Sequence, residues 1–110
     1  MKIKNLKHDA YSDGVLHYGK MTIVYGAGNK KIGETFEPEG KLFFSVMSAR
    51  DSDNITANAF GYTIDKKLKT HYCPQLKTSH KVKVDEEIFD IKSLDSDRRN
   101  SYLYLQRAGV

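Results

Sequence analysis

The side chains best suited to chemistry in this sequence are its histidines and its cysteine. The histidines are His8, His17, His71 and His80, and Cys73 is the single thiol. No two histidines have the spacing typical of zinc ligands, and Cys73 has no second thiol to complete a structural site. Cys73 also lacks a cluster of basic neighbours, which favours a small buried hydrophobe over a nucleophile. The sequence therefore predicts a protein that is not an enzyme and that uses no metal or cofactor.

A glycine-containing segment offers a second possible site, for a nucleotide. Gly26-Ala27-Gly28 begins like a dinucleotide-binding loop, and Gly33 follows five residues later. The third glycine of such a loop should come sooner, and a helix should begin beside it. We interpret the match as chance.

Basic side chains offer a third possibility, contact with nucleic acid. The formal net charge is +4, which is a weak signal for this class. Lys67, Lys69 and His71 alternate along a predicted strand, whereas Tyr62 and Tyr72 fall on its opposite face, so phosphate contact and base stacking are not offered together. One copy supplies few phosphate contacts, although a ring of copies would supply many. A basic nucleic-acid-binding barrel resembling the OB-fold stays an alternative.

Alternation of polar and apolar residues predicts the elements that would position these side chains. The predicted strands are Val15–Tyr25, Leu42–Ala49, Tyr62–Tyr72, Lys81–Val84, Ile88–Leu94 and Ser101–Gln106. The last strands have short acidic connections at 85–87 and 95–97, so they should form an antiparallel meander. We predict an all-β fold: a small antiparallel β-barrel or sandwich of about six strands with long loops and, as an option, one short helix.

The remaining segments define the domain organisation. Residues 26–40 contain several glycines and Pro38, which predicts a long loop, and residues 50–61 are predicted as a loop or one short helix. We expect residues 1–13 to form a flexible N-terminal arm and residues 14–110 to form a single β-domain. No apolar run approaches the ~20 residues needed to cross a bilayer, so we expect no membrane partner. The lone cysteine favours a reducing compartment.

Charge is distributed unevenly along the second half of the chain. Residues 62–83 contain six lysines against one aspartate, and residues 84–97 contain six acids against one lysine. Pairing between neighbouring strands of one chain is one explanation, and each such pair contributes only ~0.2–1 kcal/mol. A head-to-tail contact that closes into a ring is the other. The candidate subunit contacts are Lys67, Lys69, Lys83, Asp85, Glu86 and Glu87.

The last thirty residues carry the most specific pattern. A strand with an acidic turn is followed by Phe89-Asp90-Ile91, then an Asp-rich turn with Arg98-Arg99, then the aromatic and aliphatic strand Tyr102-Leu103-Tyr104-Leu105. This order resembles the C-terminal half of the head-closure proteins of tailed bacteriophages, also called head-tail connector, adaptor or stopper proteins. The likeness extends over residues 15–109, with Leu42-Phe43-Phe44 where the family often has a tryptophan.

The resemblance implies a structural protein of the virion neck, present in the host cytoplasm during assembly. Such a protein forms a homo-oligomeric ring, dodecameric by resemblance, below the portal or adaptor protein. The ring closes the head around packaged double-stranded DNA, which it contacts non-specifically in the channel, and it receives the tail or a tail-completion protein. A tail-completion or tail-terminator protein is the related alternative, which partner identity would separate.

The resemblance also implies two functional surfaces. A loop of the family projects into the channel as a gate, and its placement favours the segment between the second and third strands over residues 26–40. The candidate gate residues are Arg50, Asp51, Ser52, Asp53, Asn54, Ile55, Thr56, Ala57 and Asn58. The candidate adaptor or tail interface comprises Arg98, Arg99, Tyr102, Tyr104 and Arg107. Arg98 and Arg99 could equally be solvated turn residues.

Overall fold

The computed structural model describes residues 11–108, and these contain six strands and one α-helix. The elements are β1 (Gly14–Tyr25), β2 (Lys31–Met47), α1 (Asp51–Ala59), β3 (Lys66–His71), β4 (Lys81–Val84), β5 (Glu87–Ser96) and β6 (Asn100–Arg107), with a short 3-10 turn at Ala27–Asn29. Most of the predicted N-terminal arm, residues 1–13, lies outside the described residues. Of its described part, the Tyr11 ring packs at a tilt against the His71 ring, and the Asp13 carboxylate accepts a hydrogen bond from the Val46 amide at 2.8 Å.

The six strands form one closed antiparallel sheet. Their order is β1-β2-β3-β6-β5-β4, and β4 pairs with β1 to close the barrel. Alternation sets the two faces: Val82 and Val84 of β4 are buried inside, while Lys81 and Lys83, which alternate with them, face outward. The predicted all-β antiparallel fold with one short helix is confirmed.

The barrel encloses an aliphatic and aromatic core. Its buried residues are Leu16, Phe44, Leu68, Cys73, Leu76, Val82, Val84, Phe89, Ile91, Leu103 and Leu105. Each large side chain buried in this way contributes about 1.5–3 kcal/mol relative to exposure in water. Cys73 and Leu76 come from the connection between β3 and β4 and pack with the strand residues of this core. The prediction that Cys73 is a small buried hydrophobe is confirmed.

The prediction of a long loop over residues 26–40 is wrong. Strand β2 begins at Lys31, and the turn is confined to residues 26–30, where Gly28 and Asn29 take positive φ angles of 75° and 59°. The glycine and proline that indicated a loop have other reasons to be there. Pro38 lies at a register shift, where a proline is tolerated in a strand, and a Cβ at Gly40 would lie 2.4 Å from the Tyr18 hydroxyl oxygen.

The segment predicted as a loop or one short helix is helix α1. At its N-terminus the Arg50 amide donates to the Asp53 carboxylate at 2.9 Å. At its C-terminus the Gly61 amide donates to Asn58 O at 3.2 Å and the Tyr62 amide to Ala57 O at 3.0 Å, while Gly61 takes a φ of 81°. This pair of bonds is a Schellman cap, which favours a residue without a Cβ at that position. Strand β3 then starts at Lys66, four residues later than predicted.

Candidate assembly surfaces

An ion pair between Lys67 and Asp53 holds helix α1 against the outer wall of the barrel. The Lys67 ammonium of β3 lies 2.9 Å from the Asp53 carboxylate, and the exposed fractions of these side chains are 4% and 9%. Lys67 lies on the outer face of the sheet, as the alternation predicts, but the helix covers it there. Its ammonium also lies 5.1 Å from the centre of the Tyr104 ring, which is buried beneath it.

The carboxyl group of Asp53 is held ionised. Burial opposes its ionisation, but hydrogen bonds from the Lys67 ammonium, the Arg50 amide and the Arg50 guanidinium outweigh burial and lower its pKa to about 2. The same carboxylate raises the pKa of the Arg50 guanidinium, chiefly through their hydrogen bond. A carboxylate of so low a pKa is a weak base near neutral pH. The arrangement therefore suits anchoring of the helix rather than proton transfer.

Because the Asp53–Lys67 ion pair turns one face of α1 toward the barrel, the predicted gate residues fall into two groups. Asp53 and Ala57 face the barrel, and Ala57 is 1% exposed. The outward group comprises Arg50, Asp51, Ser52, Asn54, Ile55, Thr56 and Asn58. The structure thus brings one face of the segment onto the wall and leaves a mainly polar face in contact with water, together with Ile55, which is 68% exposed.

The turn between β5 and β6 is organised by Asp97 and presents two arginines. The Asp97 carboxylate accepts hydrogen bonds from the Arg99 and Asn100 amides, both at 2.8 Å, and from the Tyr102 hydroxyl at 3.1 Å. The amide of Arg99 is the largest cause of the lowered pKa of Asp97. Burial, followed by the bond to Asp97, raises the pKa of Tyr102. The side chains of Arg98 and Arg99 are exposed beside this hydrogen-bonded turn.

The structure separates the predicted adaptor or tail interface into exposed and buried members. Arg98, Arg99 and Arg107 are exposed, Tyr102 is half-buried, and Tyr104 is 9% exposed beneath Lys67. The Arg107 guanidinium lies 2.9 Å from the Glu87 carboxylate on the neighbouring strand. Tyr104 therefore packs within its own chain.

Several of the predicted subunit contacts have partners within the same chain. Lys67 pairs with Asp53, Lys83 lies 3.7 Å from Glu86, and Glu87 pairs with Arg107. The ammonium of Lys69 lies 5.9 Å from the centre of the Tyr11 ring. These contacts agree with the first explanation of the uneven charge, pairing within one chain. The exposed ones contribute at most about 1 kcal/mol each, so they can exchange for partners in another molecule.

A buried polar group fixes the connection between β3 and β4 to the base of the β1–β2 hairpin. His80 is 5% exposed; its Nδ1 accepts the Lys77 amide at 3.0 Å, so Nε2 donates to the Glu39 carboxylate at 3.0 Å. The Tyr18 ring packs edge-on against His80, and its hydroxyl lies 3.8 Å from the Cys73 sulfur. The bond to Cys73 is the largest cause of the raised pKa of Tyr18. We assign this group a structural role.

The surface that the sequence did not predict is the outer part of the β1–β2 hairpin. Residues 20–25 of β1 pair only with β2, and residues 31–43 of β2 pair only with β1. We call residues 20–37 the arm; its strands extend about 20 Å past the barrel at ~3.3 Å per residue. The alternation of Met21, Ile23 and Tyr25 was the available signal. Because the predicted second strand began only at Leu42, these residues had no predicted partner strand, and the sequence did not indicate a projecting hairpin.

Within residues 11–108, no group of three or more His, Cys, Asp or Glu side chains is arranged to hold a metal ion. Over the same residues, no helix has the length and apolar character needed to span a membrane.

Two solved structures resemble this fold over most of their length. Protein SF1141 from Shigella flexneri 2a superposes with a TM-score of 0.62 at 13% identity, covering 87% of this chain and 92% of that one. A chain in the solved virion of a native gene transfer agent particle superposes with a TM-score of 0.50 at 12% identity, covering 84% of this chain and 91% of that one. No protein-family model and no curated protein matches the sequence. At these identities the likeness shows a shared fold.

Proposed function

We propose that this chain is a head-tail joining protein of a tailed phage and acts as a structural part of the virion rather than as an enzyme. Copies of it form a ring below the portal or adaptor protein, close the DNA-filled head and present the surface to which the tail attaches. The resemblance of the C-terminal sequence to phage head-closure proteins supports this function independently of the fold.

The observation that carries the proposal is the fold shared with a chain of the gene transfer agent virion. The match covers 91% of that chain, so it concerns a whole domain rather than a common hairpin. A fold hosts many functions, and the likeness alone supports only a role as a virion component. The head-tail position rests on the sequence pattern from Phe89 to Leu105.

The geometry of the wall supports a structural role over a free nucleic-acid-binding one. Lys67, the first residue of the predicted phosphate-binding face, is buried and neutralised by Asp53. An ammonium engaged in this way cannot release counterions from DNA.

We place the outer face of helix α1 at the channel. Ser52, Asn54 and Asn58 on that face are exposed polar residues, which suit a wet channel that holds DNA without sequence-specific contacts. The Asp53–Lys67 pair would keep the helix backbone on the barrel wall. The gate expected from the family would then act through side chains of a fixed helix, or through release of that pair.

The experiment that tests the proposal uses DNA-filled heads assembled without this protein. The full chain is added to such heads, its bound mass is measured by native mass spectrometry, and DNA release is followed with a nuclease-coupled assay. Head closure predicts binding in ring-sized amounts and arrest of leakage. The Arg98→Glu, Arg99→Glu variant, altered at two exposed residues of the predicted interface, should bind less, and Lys92→Glu on β5 is its matched control.

The alternatives give different results in the same assay. Binding to isolated tail tubes but not to heads would replace head closure with tail completion. A chain that binds neither heads nor tails, yet binds DNA with an affinity that falls steeply with salt, would be a nucleic-acid-binding barrel.

A further inference from the structure

The arm exposes more apolar surface than an isolated hairpin can easily keep in water. We call residues 23–32 the arm tip. Ile23, Val24, Tyr25 and Ile32 in it are 43%, 37%, 60% and 68% exposed. A two-stranded ribbon without a third strand is marginally stable by itself, and a cluster of exposed apolar residues commonly marks an interaction site. The tip therefore needs a partner surface.

A trough on the outer wall of the barrel provides a surface that is partly apolar and partly acidic. It has a volume of about 430 Å³ and follows β1 from the base of the arm toward the β4–β5 turn. Phe36 and Pro38 form its apolar part, next to the arm, whereas Asp85 and Glu86, together with Val15, form its acidic end. His17 and Lys83 lie on the wall between these two parts.

The charges of the tip and the trough are complementary. The tip contains Lys30 and Lys31 and no acidic residue, whereas residues 85–87 are all acidic. The Glu86 side chain is 90% exposed, and its contact with Lys83 is long, at 3.7 Å. Lys31 is 53% exposed and lies 3.3 Å from Glu34. Both are surface ion pairs that contribute little energy, so Lys31 of one copy can pair with Glu86 of another at little cost.

The tip of each chain points away from the acidic end of the trough in the same chain, because both lie along β1 and at opposite ends of it. Val15 and Tyr25 are ten residues apart on one continuous strand, which corresponds to about 33 Å at the usual rise per residue. The occupant that fits the trough is therefore the tip of a second copy.

We propose that the arm tip of one copy docks in the trough of the next, with Tyr25 and Ile32 against the apolar part and Lys30 and Lys31 against Asp85 and Glu86. The contact joins two different surfaces, so each copy keeps one free tip and one free trough. Repetition produces a chain of subunits; its closure into a ring rests on the proposed function.

The test is disulfide trapping between two full-length single variants, Ile32→Cys on the tip and His17→Cys in the trough. The native Cys73 is buried in the core, and each variant oxidised alone controls for its reaction. Equal amounts are mixed with oxidised glutathione, and the crosslinked heterodimer is quantified. The comparison pair is Ile32→Cys with Ile55→Cys, whose thiol would lie on the exposed face of α1. We expect at least about tenfold more heterodimer from the tip and trough pair, a difference of about 1.4 kcal/mol.

Charge reversal makes the test independent of thiol reactivity. Lys30→Glu, Lys31→Glu on the tip copy should lower the crosslink yield severalfold, as should Asp85→Lys, Glu86→Lys on the trough copy. Combining the two reversals should restore it. Circular dichroism checks the fold of each variant, and sedimentation velocity of the unmodified chain should show mass increasing with concentration.

Equal yields from the comparison pair, or reversals that fail to restore one another, would overturn the inference. The result is separable from the test of head closure. Ring-sized binding to heads without the tip-trough crosslink would sink the docking contact alone. The crosslink without any binding to heads would leave the contact standing and remove the proposed function.

Discussion

Lys67 and Asp53 form a nearly dry ion pair, 2.9 Å apart, between the barrel wall and the helix that covers it. The pair joins β3 to α1 across 14 positions of sequence. Taking two charges out of water is costly, and a buried pair often adds little net stability over an apolar substitute. Removal of one partner is different, because the other charge is left buried and unpaired.

We predict that Asp53→Asn lowers the free energy of unfolding by about 2–4 kcal/mol, because Lys67 loses its carboxylate and the helix loses an N-terminal cap. The matched control is Asp51→Asn, an exposed acid in the same first turn, with an expected loss of at most about 1 kcal/mol. Urea denaturation of the two variants checks the difference. Equal losses would show that Asp53 stabilises the chain only as a helix-terminal charge.

The low pKa of Asp53 makes part of the stability pH-dependent. Its pKa is about 2 in the folded chain against an ordinary value of 3.8. The unfolded chain therefore binds the proton more readily, and the stabilisation is present above pH 4 and is lost as the pH falls through about 2. We expect the wild type to lose about 2 kcal/mol relative to Asp53→Asn over this interval. A stability difference that stays constant from pH 5 to pH 2 would contradict the assignment.

The strands that the sequence predicts best are those with local signals. β4, β5 and β6 alternate and are separated by short polar turns, so their bounds follow from neighbouring residues. The sequence does not decide between loop and helix for α1 because only Ala57 of its residues is buried, which gives no apolar stripe of helical period. Its caps at Asp53 and Gly61 are the available local signals.

The sequence misses the outer half of β2 because the structural reasons for Gly40 and Pro38 lie on the neighbouring strand and at a register shift. A Cβ at Gly40 would lie 2.4 Å from the Tyr18 hydroxyl oxygen, and on the paired strand β1 a Cβ at Gly19 would lie 2.0 Å from the Glu37 carbonyl oxygen. Composition cannot distinguish a glycine that permits such an approach from one that forms a turn. The ion pair between Asp53 and Lys67 could not be predicted for the same reason, since the sequence around each residue does not indicate that the other lies beside it.

A side chain introduced at Gly40 should destabilise the folded protein. We predict that Gly40→Ala lowers the free energy of unfolding by about 1–3 kcal/mol, because the added methyl group overlaps the Tyr18 ring. Gly33→Ala is the control, since a Cβ there meets nothing within 4 Å. Adding Tyr18→Leu to Gly40→Ala should recover part of the loss in a double-mutant cycle. Additive losses would mean that the overlap is relieved elsewhere.

We expect that a substitution in the β4–β5 turn can raise the stability of the folded protein. Asp85 and Glu86 have φ angles of 50° and 69°, a left-handed conformation that costs a residue with a Cβ about 1–2 kcal/mol. A two-residue hairpin turn of this kind prefers glycine at its second position. We predict that Glu86→Gly raises stability by about 0.5–1 kcal/mol and Tm by roughly 2–6 °C. Glu87→Gly, inside β5, should do the opposite, and a fall in Tm for both would refute the argument.

The exposed arginines of the β5–β6 turn should matter for assembly and not for folding. Their side chains extend from a turn that Asp97 holds through backbone amides, so Arg98→Glu, Arg99→Glu should change the free energy of unfolding by less than about 0.5 kcal/mol. If the turn meets a complementary surface on the head, the like charges introduced there should weaken binding by at least about tenfold. Lys92→Glu, an exposed reversal on β5, is the matched control. Unchanged affinity for heads in the arginine variant would identify both arginines as solvated turn residues and would move the search for the interface to the arm and the helix.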